Sequence, residues 1–413
     1  MCIRDSAYTE APGANGHIKD QVIRELEEVG ITENEVSTGG LRITTTIDMN
    51  VQSNTIQAVD DQMAPLQEDA RAASVTIDPK TGAVRGYFGG HDSNGWDYAN
   101  SPLQTGSTFK IMTLAAALQQ GISLDTNYSS APYQLPGSDV VTNVGGGCGV
   151  CNLREATKQS LNTSFLRLQE DLKNGTQDTA DMAHALGVAK SLPGIEKTLT
   201  ENGKQPFEGI VLGQYQSRPL DMATAMSTLA NQGVWHNPHF VQRVENAAGE
   251  VLYEHPEDGG ERRVSSNVAN NVLEAMEPVA AWSNGALAGG RVSAAKTGTT
   301  QMGDTGNNKD AWMVGATPQL ATAVWVGTAD NTSAIFDQYG GIMYGAGAPT
   351  KIWKAVLDNS LANSEFQNFP AAYPLGFGNV GAGTAAPVYD PSWDSGAGDT
   401  QYYEAPAEQA APE

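Results

Sequence analysis

The sequence is poor in cysteine, in basic residues and in long apolar runs, and each shortage excludes a class of protein. The 413 residues include three cysteines, which excludes a disulfide-rich scaffold and a protein with several zinc sites, since one Cys₄ site alone needs four. Lys and Arg total 24 against 47 Asp and Glu, a net charge of −23, which leaves no broad basic surface for nucleic acid or anionic lipid. No run approaches the roughly 18 apolar residues of a transmembrane helix.

Hydrophobic residues make up 40% of the chain and charged residues 17%, which is enough for a sizeable core. The N-terminus lacks the apolar segment of a signal peptide. No Lys or Arg follows Lys354, and residues 362–413 are acidic and rich in Gly, Pro and Ala. We therefore predict that residues 362–413 form a disordered, non-catalytic tail.

Hydrophobic periodicity predicts the fold class. Residues 1–70 contain a helical pattern at 18–29, a short alternating strand, and Asp48 as the N-cap of a helix that ends near Met63. They form a linker or packing subdomain in this interpretation. Residues 71–361 begin with a β-hairpin at 74–88 and end with strands at 291–299, 310–316 and 321–327. Helical patterns lie between them, which predicts an α+β domain with an antiparallel sheet flanked by helices.

Two serine–lysine pairs with the spacing S-x-x-K are candidates for a nucleophile and its base. Ser107 opens a helical pattern, in which residues three apart share one face, so the Lys110 amine can reach the Ser107 hydroxyl. Ser293 and Lys296 lie in a strand pattern, in which residues three apart point to opposite faces. The alternative interpretation of Ser107 is an ordinary helix N-cap, with a solvated lysine one turn later.

Two further motifs follow along the chain. Ser160-Leu161-Asn162 is an S-x-N triplet at a predicted break between two helices, and an ordinary helix cap is its alternative interpretation. Residues 296–299 contain the scarcer K-T-G triplet in a predicted strand, for which a polar edge strand is the alternative. The glycine would let a ligand backbone approach closely, and the lysine and threonines would bind a carboxylate. Neither motif decides the function alone.

The order S-x-x-K, S-x-N, K-T-G resembles the signature of penicillin-recognising serine transferases and hydrolases. Over about residues 70–360 the chain looks most like the transpeptidase domain of a class A (bifunctional) penicillin-binding protein. Residues 39–48 are similar to the segment that joins the glycosyltransferase and transpeptidase domains in that family. The resemblance implies the penicillin-binding protein/β-lactamase-like serine acyltransferase fold.

The resemblance also implies a role for each motif residue. Ser107 would attack the penultimate D-Ala carbonyl of a D-Ala-D-Ala stem peptide, with Lys110 as its base. Ser160 would relay the proton to the leaving group, and Asn162 would hold the substrate amide and orient Lys110. The other substrate-binding residues belong to the K-T-G strand: Lys296, Thr297, Gly298 and Thr299. No metal and no organic cofactor is implied.

The implied partners are peptidoglycan stem peptides, one as D-Ala-D-Ala donor and one as amine acceptor, with β-lactams as inhibitors. The chain lacks the glycosyltransferase domain and membrane anchor of the family. We therefore expect a fragment of a protein that is anchored at the extracytoplasmic face of the bacterial membrane and works with the cell-wall synthesis machinery. Two alternatives stay open. One is a β-lactamase or D,D-carboxypeptidase that passes the acyl group to water, and the other is a non-catalytic β-lactam sensor.

Cys148 and Cys151 lie in a glycine-rich loop before the S-x-N triplet. A zinc site would need His236 and His239 as further ligands, and a redox-active C-x-x-C would need a thioredoxin-like βαβ context, which the pattern lacks. Free thiols and a local disulfide are the other two interpretations. The oxidising compartment that the resemblance implies favours the disulfide, which would stiffen the loop beside the active-site cleft.

Overall fold

The computed structural model describes residues 2–4, 13–135, 137 and 140–376. In these residues the α-helices are α1 (Gly16–Glu28), α2 (Glu33–Thr38), α3 (Met49–Met63), α4 (Lys110–Gln119), α5 (Leu153–Gln159), α6 (Asn162–Glu170), α7 (Thr176–Leu186), α8 (Pro219–Ala230), α9 (Ser266–Trp282) and α10 (Ala348–Ser360). The strands are β1 (Cys2–Arg4), β2 (Arg42–Thr45), β3 (Ala70–Ile77), β4 (Val84–Phe88), β5 (Leu103–Gln104), β6 (Asn127–Ser129), β7 (Tyr133–Gln134), β8 (Val140–Val141), β9 (Val150–Asn152), β10 (Gln216–Ser217), β11 (Val234–Trp235), β12 (Val241–Glu245), β13 (Val251–Glu254), β14 (Glu261–Arg262), β15 (Ala294–Gln301), β16 (Asn308–Ala316) and β17 (Ala321–Thr328).

The central sheet is antiparallel and has the strand order β15-β16-β17-β3-β4. Its first two strands along the chain form the predicted hairpin, and its last three close the sheet from the other end of the domain. The K-T-G strand, β15, is therefore an edge strand of this sheet. The backbone groups on its outer side are not paired with another strand of the sheet and can contact a neighbouring segment or a ligand.

Alternating residues of the sheet face two separate cores. Along β16, Trp312 and Val314 face the core that includes residues of α8 and α9. Ala311 and Met313 face the other core, which includes residues of α3 and α10. A strand that is buried on both faces in this way has helices above and below it. The predicted α+β class, an antiparallel sheet flanked by helices, is confirmed.

The N-terminal residues contribute helix α3 and two strands, and both α3 and the strands contact later parts of the chain. The Asp48 side chain accepts hydrogen bonds from the N–H groups of Asn50 (2.8 Å) and Val51 (3.3 Å), so it caps α3 as predicted. Helix α3 then packs against α10. Strands β1 and β2 join β12 and β13 in a second antiparallel sheet. The proposed domain boundary at residue 70 stays a prediction.

Residues 362–376, in the segment assigned to the tail, lie against the body of the protein. The Arg291 guanidinium donates hydrogen bonds to the carbonyl oxygens of Ser364 (2.9 Å) and Glu365 (3.1 Å). Further along, the Asn271 amide donates to the Tyr373 carbonyl oxygen at 2.7 Å. The packed body therefore extends to residue 376, and the prediction for residues 377–413 lies outside the described residues.

Membrane crossing requires a long and uniformly apolar helix. Within the part of the chain that the structure describes, no helix meets both conditions.

Candidate active site

Ser107 lies on a tight turn at the start of α4. Residues 106–109 form a 3₁₀ turn that leads into the α-helix at Lys110, where the sequence predicted a regular helical pattern that Ser107 opens. Gly106 has a φ of +57°, and a Cβ atom added there would lie 2.3 Å from the Thr299 carbonyl oxygen. Glycine is therefore required for the turn to lie this close to β15.

The serine–lysine pair comes together as its spacing predicts. The Lys110 Nζ atom lies 2.9 Å from the Ser107 Oγ atom. The Lys110 side chain is fully buried, whereas Ser107 is partly exposed. A partly exposed hydroxyl with a buried amine at hydrogen-bond distance is the arrangement that an activated serine nucleophile needs.

Ser160 lies in the break between α5 and α6, where the sequence predicted it. Its φ of 58° and ψ of 44° belong to the left-handed region, which costs a residue other than glycine about 1–3 kcal/mol. This conformation directs two oxygen atoms of one residue at the same amine. The Lys110 Nζ atom donates to the Ser160 carbonyl oxygen at 2.6 Å and lies 3.2 Å from the Ser160 Oγ atom.

Asn162 completes the surroundings of Lys110 and also holds a neighbouring loop. The Lys110 Nζ atom donates to the Asn162 Oδ1 atom at 2.7 Å, and the Asn162 Nδ2 atom donates to the Thr142 carbonyl oxygen at 3.1 Å. The next residue of the loop, Asn143, accepts from the Thr163 N–H at 3.1 Å. These contacts fix the side chain of Asn162 and the start of α6 to the loop.

Lys296 reaches the same place from β15. Its Nζ atom donates to the Ser160 Oγ atom at 2.7 Å and to the Thr297 carbonyl oxygen at 3.0 Å. The Ser160 hydroxyl is therefore within hydrogen-bond distance of both lysines. Ser293, the partner of Lys296 in the second S-x-x-K pair, lies just before β15. The amine of Lys296 contacts Ser160.

The surroundings of both lysines favour the neutral amine. Burial lowers the pKa of Lys110 well below its ordinary 10.5, and the neighbouring Lys296 cation lowers it further. Burial lowers the pKa of Lys296 to about 7. Two cations that approach one hydroxyl repel each other, so protonation of one lysine disfavours protonation of the other.

The hydrogen-bond geometry assigns the lone pair of a neutral Lys110. The carbonyl oxygens of Ser160 and of the Asn162 amide can only accept hydrogen bonds, so they take the two N–H bonds of the amine at 2.6 and 2.7 Å. The lone pair is then available to the Ser107 hydroxyl. This arrangement can remove the proton of Ser107 as the oxygen attacks an electrophile.

Gly298 allows the Ser107 turn to contact β15. A Cβ atom added at Gly298 would lie 2.5 Å from the Thr105 carbonyl oxygen and 3.0 Å from the Thr108 nitrogen. Thr297 and Thr299, on either side of it, are partly exposed at the edge of the sheet. The structure thus gathers the predicted site residues around one cleft between β15 and the helices: Ser107, Lys110, Ser160, Asn162, Lys296, Thr297, Gly298 and Thr299.

Cys148, in the loop before β9, and Cys151, in β9, are joined by a disulfide, with their Cα atoms 5.9 Å apart. The same loop is bound to the Ser130 region, because the Ser130 N–H donates to the Gly149 carbonyl oxygen at 2.8 Å. The paired sulfur atoms are not thiolates and cannot bind zinc in this state. His239, considered above as a zinc ligand, stacks on His255 with 3.5 Å between ring centroids.

We expect mass mapping to find the Cys148–Cys151 pair oxidised in protein purified without reductant. A peptide that contains both residues will gain no mass on alkylation under denaturing conditions, because a disulfide has no thiolate to react. The same peptide will gain two adducts once a reductant is added. Two adducts without the reductant would contradict the disulfide.

A family model and the curated relatives described below all indicate the same protein family. A sequence model of the family described as penicillin binding protein transpeptidase domain matches residues 72–357. Penicillin-binding protein 1A of Mycolicibacterium smegmatis is 50% identical over 384 residues, which cover 92% of this chain and 49% of that protein. Penicillin-binding protein 1A of Mycobacterium tuberculosis is 49% identical over 376 residues, which cover 90% of this chain and 46% of that protein. The chain spans about half the length of these curated relatives.

The fold is also similar to that of a solved structure. The structure of the PonA1 protein from Mycobacterium tuberculosis in complex with penicillin V superimposes with a TM-score of 0.86 at 49% sequence identity. The match covers 90% of this chain and 100% of that chain. This similarity confirms the fold that the sequence motifs implied.

Proposed function

Because the chain belongs to the family of penicillin-binding protein transpeptidase domains, we propose that it crosslinks peptidoglycan stem peptides as a D,D-transpeptidase, through an acyl-enzyme on Ser107. One observation carries the proposal. The Ser107 Oγ atom lies 2.9 Å from the amine of Lys110, whose pKa is lowered by burial and by the Lys296 cation. A buried amine whose pKa is lowered in this way loses its proton more readily, and in its neutral form it can act as the base for a serine nucleophile.

In the first half-reaction, the Ser107 oxygen attacks the carbonyl carbon of the penultimate D-Ala, and Lys110 takes the hydroxyl proton. The resulting tetrahedral intermediate carries a negative oxygen. The backbone N–H groups of Ser107 and Thr299 would stabilise that oxygen, at about 3–4 kcal/mol per donor. Collapse of the intermediate breaks the peptide bond and forms the acyl-enzyme.

The leaving D-alanine needs a proton on its nitrogen, and Ser160 is suited to deliver it. Its hydroxyl lies 3.2 Å from Lys110 Nζ and 2.7 Å from Lys296 Nζ, so it can give up its proton and regain one from a lysine. In the second half-reaction the same groups act in reverse. An amine of a neighbouring stem peptide loses its proton and attacks the acyl-enzyme, which restores the Ser107 hydroxyl and forms the crosslink.

The K-T-G strand would bind the substrate beside the nucleophile. The terminal carboxylate would lie against the hydroxyl groups of Thr297 and Thr299, near the cation of Lys296, because charge-assisted hydrogen bonds of this kind are short and strong. Asn162 would hold the amide of the donor. We propose the same cleft as the target of β-lactams, which present a strained amide to Ser107. PonA1, similar in sequence and fold, has been solved in complex with penicillin V.

The wider setting of the reaction is part of the proposal. The curated relatives are about twice as long as the matching region. In the full-length protein we propose that this domain works at the extracytoplasmic face of the membrane, beside a glycosyltransferase domain and the cell-wall synthesis machinery. The net charge of −23 disfavours nucleic acid as a partner.

The test offers the protein a peptide that ends in D-Ala-D-Ala together with an amine acceptor, and identifies the products by mass spectrometry. We expect release of D-alanine and a transfer product whose share rises with the amine concentration. Reactions without the acceptor are the control, and they will give slow hydrolysis only. Hydrolysed peptide at all amine concentrations would identify a D,D-carboxypeptidase instead, and rapid penicillin turnover would identify a β-lactamase. Penicillin binding with no reaction of the peptide would identify a sensor.

A further inference from the structure

We propose that Trp312 is a positioning residue for the acylation step, because its indole N–H holds the segment that carries Ser107 against β15. The inference rests on the proposed function. It assigns a role in that reaction to a residue of β16 that lies outside the three motifs. The Trp312 side chain is fully buried, and the Trp312 Nε1 atom donates a hydrogen bond to the Gln104 carbonyl oxygen at 2.8 Å.

The contact crosses the K-T-G strand at its glycine. Trp312 is paired directly with Gly298 in the β15–β16 register, and paired residues of an antiparallel sheet lie on the same face. Gly298 has no side chain, so the Thr105 carbonyl oxygen and the Thr108 nitrogen occupy the space where a Cβ atom would be. The indole of Trp312 reaches Gln104 on this same face of the sheet, three residues before Ser107.

The segment between Gln104 and Ser107 has little freedom to move. A Cβ atom on Gly106 would lie 2.3 Å from the Thr299 carbonyl oxygen, and a Cβ atom on Gly213 would lie 2.1 Å from the Gly106 nitrogen. The segment is therefore packed between β15 on one side and Gly213 on the other. Strand β5, at the start of the segment, also pairs with β10. The hydrogen bond from Trp312 adds a tie to the central sheet, and we infer that this tie sets the distance from Ser107 to Thr299.

The distance from Ser107 to Thr299 matters for acylation. The Ser107 oxygen must attack the carbonyl carbon of the same group whose oxygen accepts hydrogen bonds from the proposed oxyanion donors. A misplacement of about 1 Å can reduce a rate by about 100-fold. Loss of the indole N–H removes the shorter of the two side-chain hydrogen bonds to the Gln104 carbonyl oxygen, since the other, from the Thr300 hydroxyl, is long at 3.4 Å. The segment will then shift to find another donor.

The chain offers a matched control for the experiment. Trp325 lies directly opposite Trp312 in the β16–β17 register. It is equally buried, and its indole N–H also donates one hydrogen bond, to the Asp310 Oδ1 atom at 2.9 Å. Trp312→Phe and Trp325→Phe each keep an aromatic ring at a fully buried position and lose one indole hydrogen bond. Only the first of these bonds reaches the Ser107 segment.

Stopped-flow acylation by a fluorescent penicillin will separate the acylation rate constant at saturation from the affinity of the initial complex. We expect Trp312→Phe to lower that rate constant about tenfold, which corresponds to about 1.4 kcal/mol, with affinity for the initial complex nearly unchanged. Trp325→Phe will acylate at the rate of the unmodified protein. Both variants will lose similar thermal stability, measured by circular dichroism.

Thr300→Val is the second variant, and it decides the matter if Trp312→Phe does not fold. It removes the long contact to the same carbonyl, and we expect a fall in the acylation rate constant of about two- to threefold. The inference is wrong if the two tryptophan variants have equal acylation rate constants. If Trp312→Phe cannot be measured, the inference is wrong if Thr300→Val leaves the acylation rate constant unchanged. Failure of the unmodified protein to be acylated at all would instead refute the proposed function.

Discussion

Ser107→Ala will abolish covalent labelling of the protein by a fluorescent penicillin. The hydroxyl of Ser107 is the partly exposed oxygen that lies 2.9 Å from a buried amine of lowered pKa. The Ser160 hydroxyl is within hydrogen-bond distance of two lysines, and we assign it to proton transfer. An alanine at position 107 removes the atom to which the penicilloyl group would bind, so no slower acylation through the same site is available.

Ser293→Ala is the matched control for this variant. Ser293 is the first residue of the other S-x-x-K pair and is almost fully buried. We expect Ser293→Ala to be labelled as fast as the unmodified protein. Gel fluorescence after incubation with the labelled penicillin, and peptide mapping of the adduct, measure both variants. Labelling of Ser107→Ala at any serine would move the nucleophile elsewhere.

Lys110→Met will slow acylation by penicillin by about 10²–10⁴-fold, the range that a general base contributes. Methionine fills much of the buried volume of lysine but has no amine to accept the Ser107 proton. Lys110→Arg will slow acylation to a similar extent, because a guanidinium group stays protonated in proteins and cannot act as a base. A purely electrostatic role for Lys110 predicts the opposite, since arginine keeps the positive charge.

The comparison needs a lysine from the same region as its control. Lys158 precedes Ser160 by two positions, but its ammonium group pairs with the Glu155 carboxylate at 2.7 Å. Lys158→Met will therefore acylate at the normal rate. Rate constants come from the same stopped-flow assay, with folding checked by circular dichroism. A Lys110→Arg variant that acylates as fast as the unmodified protein would show that Lys110 acts as a cation.

The sequence predicted the partners in the cleft where local geometry alone determines them. A spacing of three on a helix places Ser107 and Lys110 on one face, and the structure gives a contact of 2.9 Å. The break between helices at Ser160 also followed from the local pattern. The convergence of Lys296 with these residues could not be predicted from spacing, because it depends on how β15 packs beside α9 and the turn that carries Ser107. There the family resemblance supplied the expectation.

Other features of the cleft leave no signal in the sequence. The Ser160 carbonyl oxygen accepts the shortest of the hydrogen bonds from Lys110, at 2.6 Å, but every residue has a carbonyl group. The left-handed conformation of Ser160, in which this carbonyl contacts the amine, also has no signature in the sequence. The contact of Trp312 with Gln104 is of the same kind, because the donor and the acceptor are 208 positions apart. Tertiary packing, and not a motif, creates both.

The strands of the central sheet were predicted from the sequence, but several helices were not. Helices α7, α9 and α10 were not predicted from the sequence. Helix α9 contains Pro278, which ordinarily indicates the end of a helix. Its N-cap is Ser265, whose side chain accepts from the Val268 N–H at 3.2 Å. The triplet of residues 265–267, which matches S-x-N by chance, is thus a helix cap.

The central claim is that Lys110 is neutral when Ser107 attacks, and the pH dependence of acylation tests it most directly. The measurement is the acylation rate constant at saturating penicillin on the unmodified protein. Protonated Lys110 cannot accept the Ser107 proton, so the rate will be low at acid pH and will rise as Lys110 loses its proton. Because burial and the Lys296 cation lower the pKa of Lys110 well below 10.5, the rise will be complete well before the ordinary lysine range. A rate constant that keeps rising through about pH 10.4, where an unperturbed lysine titrates, would contradict the account.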